Sequence, residues 1–192
     1  YKVTNKDVNV TVTTDDDTRI LGSITDEYGK TKERTFSSNG LFMFNTEKKN
    51  GLSASYGLDI EFIDKTAPVL DLLGAEEIVF YENPEMNTEY DESMLIYKEN
   101  GKYNAYKAYD TFGGKETNLT DKVEVVDWGG FDSSNLNNNK FDSGSPYTIT
   151  YRVSDNAHNV TEARRTVRLV GMYDTLAFVN GQLPDYAGRC ET

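Results

Sequence analysis

Residues 147–170 alternate between apolar and polar positions in two runs that flank a short polar stretch. The apolar phase of the first run contains Tyr147, Ile149, Tyr151 and Val153, and that of the second contains Ala163, Val167 and Leu169. Side chains two residues apart lie on the same face of a β-strand. The pattern therefore predicts an antiparallel hairpin that packs one apolar face on a core and turns at residues 155–159.

The first third of the chain carries the same period of two. Val8, Val10 and Val12 alternate with polar residues and predict a strand that ends at the acidic run 15–17. The dipeptide 39–40, Asn-Gly, predicts a hairpin turn between two strands. The alternation keeps one phase from Leu52 to Phe62 and predicts the strongest strand in the chain.

The alternation of apolar and polar residues is interrupted near Pro68, whose backbone nitrogen cannot donate a hydrogen bond to a neighbouring strand. We expect one β-sandwich over residues 1–66 and a second over 67–171, with 172–192 forming an extension or the start of a further module. Strands are predicted in "EEIVFYEN" and "DKVEVVDW", separated by a polar stretch over 83–120, and residues 129–146 read as a loop. Only residues 89–98 fit a short helix.

Several motifs resemble those of bacterial immunoglobulin-like modules, which are strung in tandem along surface and secreted proteins. They are "TNKDVNVTVTT", "FSSNGLFMF" and "IDKTAP" in the first unit, and "YTITYRVSDNAHNVTEARRTVRLVG" in the second. The second unit has His158 where the family prefers glycine, and "NTEKKNG" replaces the expected turn of the first unit. The resemblance implies two consecutive immunoglobulin-like antiparallel β-sandwiches, all-β in class.

The same resemblance implies a location outside a bacterial cell, secreted or attached to its surface. The implied function is that of a non-catalytic stalk, spacer or adhesion segment of a larger protein. Its partners would be adjacent modules of the same chain and a host or cell-surface protein or glycan. Two alternatives stay open: a carbohydrate-binding module, and an accessory domain of an extracellular glycoside hydrolase.

The overall charge argues against two classes of partner. The 192 residues carry a net charge of −12, so the average field repels phosphate backbones and anionic lipid headgroups. We therefore expect neither nucleic-acid binding nor direct membrane contact. The single cysteine, Cys190, excludes a disulfide within the chain.

The residues do not predict an enzyme. His158 is the only histidine, and with a single distant cysteine it cannot supply a Cys-His pair or a zinc site of such ligands. No glycine-rich phosphate loop precedes a helix. The 32 acidic residues would create close carboxylate pairs by chance, so such a pair alone does not indicate a glycosidase.

Calcium is the one cofactor that the acidic residues suggest. Its candidate ligands are Asp15, Asp16 and Asp17 with Asp26, and, separately, Asp155 and Asn156. Carboxylate and amide oxygens suit this ion, but neither group follows the twelve-residue calcium loop. Turn formation is the alternative explanation for both groups.

Three aromatic residues are candidates for sugar binding. Trp128, with Phe131 and Tyr109, would offer ring faces on which the apolar face of a sugar stacks. The alternative is that Trp128 fills the core of the second sandwich. Lysine and asparagine are abundant, but the sequence does not select a pair for an isopeptide bond.

Overall fold

The fold is taken from a computed structural model that describes residues 2–22, 27–81, 98–99, 102–103, 105–141 and 146–171. Within these ranges the regular elements are β-strands and two 3₁₀ turns, Thr120–Lys122 and Leu136–Asn138. The expected all-β class, with antiparallel sheets, is confirmed. No helix in the described ranges is long and apolar enough to cross a bilayer.

The first part of the chain forms two small antiparallel sheets. Its strands are β1 (Val8–Thr13), β2 (Thr18–Ile20), β3 (Thr31–Phe36), β4 (Gly40–Lys48) and β5 (Ser53–Ile60). One sheet pairs β1 with β3, and the other has the order β2-β4-β5. The predicted strand at Val8–Val12 and the long strand after Leu52 are both present.

The second part begins with β6 (Val69–Leu72) and β7 (Glu77–Tyr81). The strands that follow are β8 (Lys98–Glu99), β9 (Lys102–Tyr103), β10 (Tyr106–Phe112), β11 (Lys115–Asn118), β12 (Glu124–Asp127), β13 (Tyr147–Ser154) and β14 (Val160–Val170). One sheet has the order β11-β10-β6 and another the order β12-β13-β14-β7. β10 pairs with β6, β12 with β13 and β13 with β14 in antiparallel fashion, whereas β14 pairs with β7 in parallel.

The chain separates into two compact units. The first contains residues 1–67 together with the short segments 111–115 and 155–159, and the second contains the rest of the chain. The core of the first unit is small and consists of Phe36, Ile60 and Ile63, with half-buried apolar side chains around them.

The core of the second unit is larger and is centred on the predicted hairpin. β13 and β14 pair from Tyr147–Val167 to Ser154–Val160. Ile149, Tyr151 and Val153 are buried on the inward face, as the alternation predicts, and Val167 and Leu169 are buried on the partner strand. Burying apolar side chains on both strands of one face stabilises the pairing register, because a slip of one residue would expose them all.

The predicted hairpin at residues 39–40 is wrong in its pairing, although the strands on either side exist. β3 pairs with β1, whereas β4 pairs with β2 and β5, so the two consecutive strands belong to different sheets. Asn39 explains the local geometry. Its side chain donates to the Ile63 carbonyl at 2.7 Å and accepts from the Ile63 amide at 2.8 Å, so it pairs as a strand residue would.

The polar stretch 83–120 is more regular than its composition indicates. β10 and β11 lie in it, and β10 places Ala108 and Asp110 on its buried phase. A carboxylate in this phase interrupts the apolar alternation, which is why the pattern did not predict a strand. The predicted helix at 89–98 falls almost wholly outside the described residues.

Candidate functional site

The turn of the β13–β14 hairpin is held by its own polar groups. The Asp155 carboxylate accepts from the amide and the side-chain nitrogen of Asn159, both at 2.8 Å. His158 has φ of 69°, a left-handed conformation that few residues other than glycine adopt. Its side chain is exposed, while Ala157 beside it is buried. The turn therefore has an inward side and a solvent side.

Asn159 also binds the backbone of a distant segment of the first unit. Its side-chain nitrogen lies 3.0 Å from both the Asp64 and the Thr66 carbonyl oxygens. Asp64 orders the same segment, because its carboxylate accepts from the Thr66 amide at 3.0 Å. Residues 64–66 belong to the motif "IDKTAP", so the turn fixes that stretch of backbone.

Two buried carboxylates meet at this turn. One carboxylate oxygen of Asp64 lies within 4.8 Å of one of Asp155, and both residues are buried. The sequence singled out Asp155 and Asn156 as calcium ligands and did not single out Asp64, which lies 91 residues away. Asn156 is exposed. Each of the two carboxylates already accepts hydrogen bonds from its own turn, so calcium binding here stays a prediction.

The acidic run at 15–17, the other calcium candidate, lies against lysines. The Asp15 and Asp17 carboxylates form ion pairs with Lys48 at 3.9 Å and Lys49 at 3.2 Å. The pKa of Asp15 is lowered, chiefly because the Thr18 side chain hydrogen-bonds to its carboxylate. These contacts are typical of a turn, and this turn connects β1 to β2, which belong to different sheets. Asp26 lies outside the described residues.

The three aromatic candidates occupy different environments in the second unit. Phe131 is 4% exposed and belongs to the core, and Trp128 is half-buried against that core. Their ring centroids are 6.3 Å apart. Tyr109 is half-buried on β10, in the sheet β11-β10-β6, and Lys107 extends over its ring. Sugar binding by these residues stays a prediction, with Trp128 and Tyr109 as the rings that keep part of their surface in solvent.

The loop after Trp128 is an ordered structure that the sequence did not predict. Gly129 has φ of 60°, and a Cβ atom on it would lie 2.4 Å from the Thr148 carbonyl oxygen, so this backbone approach requires glycine. Further along, Asp132 accepts hydrogen bonds from Ser134 and Asn138. These bonds lower the pKa of Asp132, that from the Ser134 side chain most of all.

Two strands of the second unit, the edge strand β7 and its neighbour β14, pair with each other in parallel. β7 lies near the point where the chain enters this unit, and β14 is its last described strand. Five residue pairs connect them, from Glu77–Thr166 to Tyr81–Val170. The Thr166 amide donates to the Glu76 carbonyl at 3.0 Å.

Comparison with known proteins finds no family model, no curated protein and no solved structure that matches the chain.

Proposed function

We propose that this chain is a non-catalytic, load-bearing spacer segment of a larger extracellular bacterial protein, built from two immunoglobulin-like sandwiches. The parallel pairing of β7 with β14 is the observation that carries the proposal. Support for the family comes from the sequence motifs, several of which fall on the observed strands β1, β4, β13 and β14. It also comes from the way the entering chain contributes β6 to one sheet and β7 to the other.

The parallel pair of β7 and β14 resists tension because of the direction in which each strand is loaded. A force that separates the two ends of the unit enters through β6. Once it reaches β7, it pulls β7 towards its amino end and β14 towards its carboxyl end. Since the strands are parallel, these pulls are opposed along a shared ladder and shear it. The ladder bonds are then strained together, whereas an antiparallel pair pulled from its open end would release them one at a time.

Side-chain contacts reinforce this ladder. Arg168 on β14 pairs with Glu77 on β7. Both side chains are about a third or more exposed, so solvent screening reduces the contribution of this ion pair. Val167 and Leu169 anchor the inward face of β14 in the core. The Thr161 hydroxyl donates to the Pro68 carbonyl, which ties the entry point of the unit to the same strand.

A proline scan of β7 under load tests the proposal. Because Thr166 bonds to Glu76, the alternation of a parallel ladder directs the Ile78 amide towards β14 and the Val79 amide away from it. Ile78→Pro should remove one ladder bond, worth about 1 kcal/mol, and raise the unfolding rate at constant force roughly fivefold or more. Single-molecule force spectroscopy on the full chain, pulled from its termini, measures this rate.

Val79→Pro is the matched control, since β7 is an edge strand and proline is tolerated where the amide faces away from the ladder. Ile78→Ala separates the loss of the side chain from the loss of the bond. Equal rates for the two proline variants, or a wild-type chain that unfolds at forces typical of an unzipping hairpin, would contradict a load-bearing role.

The carbohydrate-binding alternative has its own test. A glycan array probed with the wild-type chain and with Trp128→Ala distinguishes the two functions. The spacer function predicts no glycan binding that depends on Trp128. Saturable binding that Trp128→Ala abolishes, with the fold intact by circular dichroism, would favour the alternative.

A further inference from the structure

A groove of about 660 Å³ opens between the two sheets of the first unit. One wall is β1, and the other is formed by β4 and β5. The apolar side chains that line it are Val10, Val12, Phe44, Leu52, Tyr56 and Leu58. Phe36 and Ile60, which are 2% and 1% exposed, belong to the core of this unit, against which Val10, Phe44 and Leu58 also pack.

The groove exposes side chains that the alternation assigns to the inner face. Leu52 and Tyr56 are 66% and 62% exposed, and the valines of β1 are only half-buried. The cause is an unequal number of strands, because a two-stranded sheet faces a three-stranded one. A second groove is lined by β3 with β2 and β4, so β3 lies towards β2 and β1 towards β5. Among the described residues, no strand covers the inner face of β5 along its first half.

The strands that border the groove lack the features that usually protect exposed edges. Among the described residues β1 pairs only with β3, and β5 only with β4. The sequence of β1, "VNVTVT", and the first six residues of β5, "SASYGL", contain no charged residue and no proline. Exposed edges in soluble proteins normally carry lysine, proline or bulges, because an unprotected edge pairs with another strand.

We propose that the groove is the interface of a homodimer, in which β1 of a second copy lies antiparallel beside β1 of the first. A twofold axis between the two copies of β1 makes such an interface self-complementary. The second copy then places its own Val8, Val10 and Val12 over Leu52 and Tyr56 of the first copy. The groove requires a short, uncharged strand with an apolar side chain at every second residue. β1 is such a strand.

The charge distribution permits this self-association. Residues 1–67 contain nine lysines and arginines against eleven aspartates and glutamates, so their net charge is only −2. The remaining residues carry the rest of the total of −12. Repulsion between two first units is therefore small, and apolar burial can dominate their association.

A pair of matched substitutions tests the dimer. Leu41 and Leu52 are both 66% exposed on the same sheet, but Leu52 lines the groove, whereas Leu41 lies on the opposite face beside Gly57. Leu52→Glu would bury a carboxylate in the interface and should weaken dimerisation at least about tenfold. Leu41→Glu should leave it unchanged. Sedimentation equilibrium of the full chain measures the dissociation constants of both variants. A reductant keeps Cys190 from forming a disulfide between chains.

Hydrogen exchange on the same proteins identifies the strand that occupies the groove. The amides of residues 8–13 should exchange more slowly as protein concentration rises, and Leu52→Glu should abolish that dependence. A chain that stays monomeric at all concentrations would overturn the proposal. So would a dimer that Leu41→Glu weakens as much as Leu52→Glu, or protection of β1 that does not depend on concentration.

Discussion

Tyr151 is the residue on which the core of the second unit depends most visibly. It is fully buried, and its ring packs against Tyr106 with centroids 5.5 Å apart. Tyr151→Ala should lower the free energy of unfolding of this unit by about 3 kcal/mol, because it empties a large aromatic position. Chemical denaturation measures the loss. Tyr151→Phe, which keeps the ring, should cost clearly less, and equal costs would contradict a packing role.

His158 is a residue whose backbone conformation matters more than its side chain. With φ of 69° and an exposed imidazole, it occupies a position that glycine adopts without strain. His158→Gly should change the free energy of unfolding by no more than about 1 kcal/mol, whereas a β-branched valine should be clearly destabilising. Denaturation curves of both variants check this. A stable His158→Gly chain that had lost a binding activity would instead reveal a functional histidine.

Asp132 should contribute stability that depends on pH. Its pKa in the folded chain is lowered from the ordinary value of 3.8 by the bonds from Ser134 and Asn138. A lowered pKa means that the contribution is complete above about pH 3.8 and is lost as the pH falls through the folded value. The stability gap between wild type and Asp132→Asn should therefore be largest near neutral pH and shrink in acid.

Unfolding curves recorded from neutral pH down to strongly acidic pH give this gap directly. Ser134→Ala removes the hydroxyl that contributes most to the lowered pKa, and should reduce the pH dependence. A gap that stays constant throughout the acid range would show that the Asp132 charge has no role in ordering this loop.

At the scale of elements, the β13–β14 turn and the segment 64–66 should act together. Asn159→Asp keeps the side-chain shape but points an oxygen at the Asp64 and Thr66 carbonyls, and adds a negative charge beside Asp155. We expect a loss of about 1–3 kcal/mol, because the Asp64 and Thr66 carbonyls lose their donor and the new carboxylate lies against that of Asp155. Asn156→Asp makes the same change at an exposed position of the turn and is the control.

Repeating the Asn159→Asp denaturation with excess calcium and with EDTA also tests the ion. If the turn carboxylates are purely architectural, the loss should be the same in both conditions. Because Asn159→Asp adds a carboxylate beside Asp155, the wild-type chain is measured in parallel. A gain in wild-type stability with calcium, absent with EDTA, would show that Asp64 and Asp155 can hold a cation.

At the scale of the whole molecule, the two compact units predict two unfolding transitions. Phe36 is in the core of the first unit and Ile149 in that of the second. Phe36→Ala should lower the temperature of one transition and Ile149→Ala that of the other, with core truncations of this kind costing about 2–5 kcal/mol. Differential scanning calorimetry distinguishes them. A single transition lowered by both substitutions would show that the units unfold together.

The sequence by itself determined the class of the fold and the strands with strict alternation. A period of two directs every second side chain to one face, so Ile149, Tyr151 and Val153 could be assigned to a core before any coordinates were known. The same reasoning failed for β10, where Asp110 lies in the buried phase, and for Arg165, a charged residue on the inward face of β14. Arg165 is fully buried and donates to the Leu73 and Ala105 carbonyls at 2.7 and 2.9 Å.

Only the tertiary structure decided which strands distant in the sequence meet. Local pattern carries no information about a partner 90 residues away, so neither the pairing of β14 with β7 nor the approach of Asp64 to Asp155 could be read from it. The groove beside β5 shows the same limit. The alternation of β5 predicts its inner face correctly. Whether that face is covered depends on how many strands the opposite sheet contains, because burial is set by what packs against a side chain.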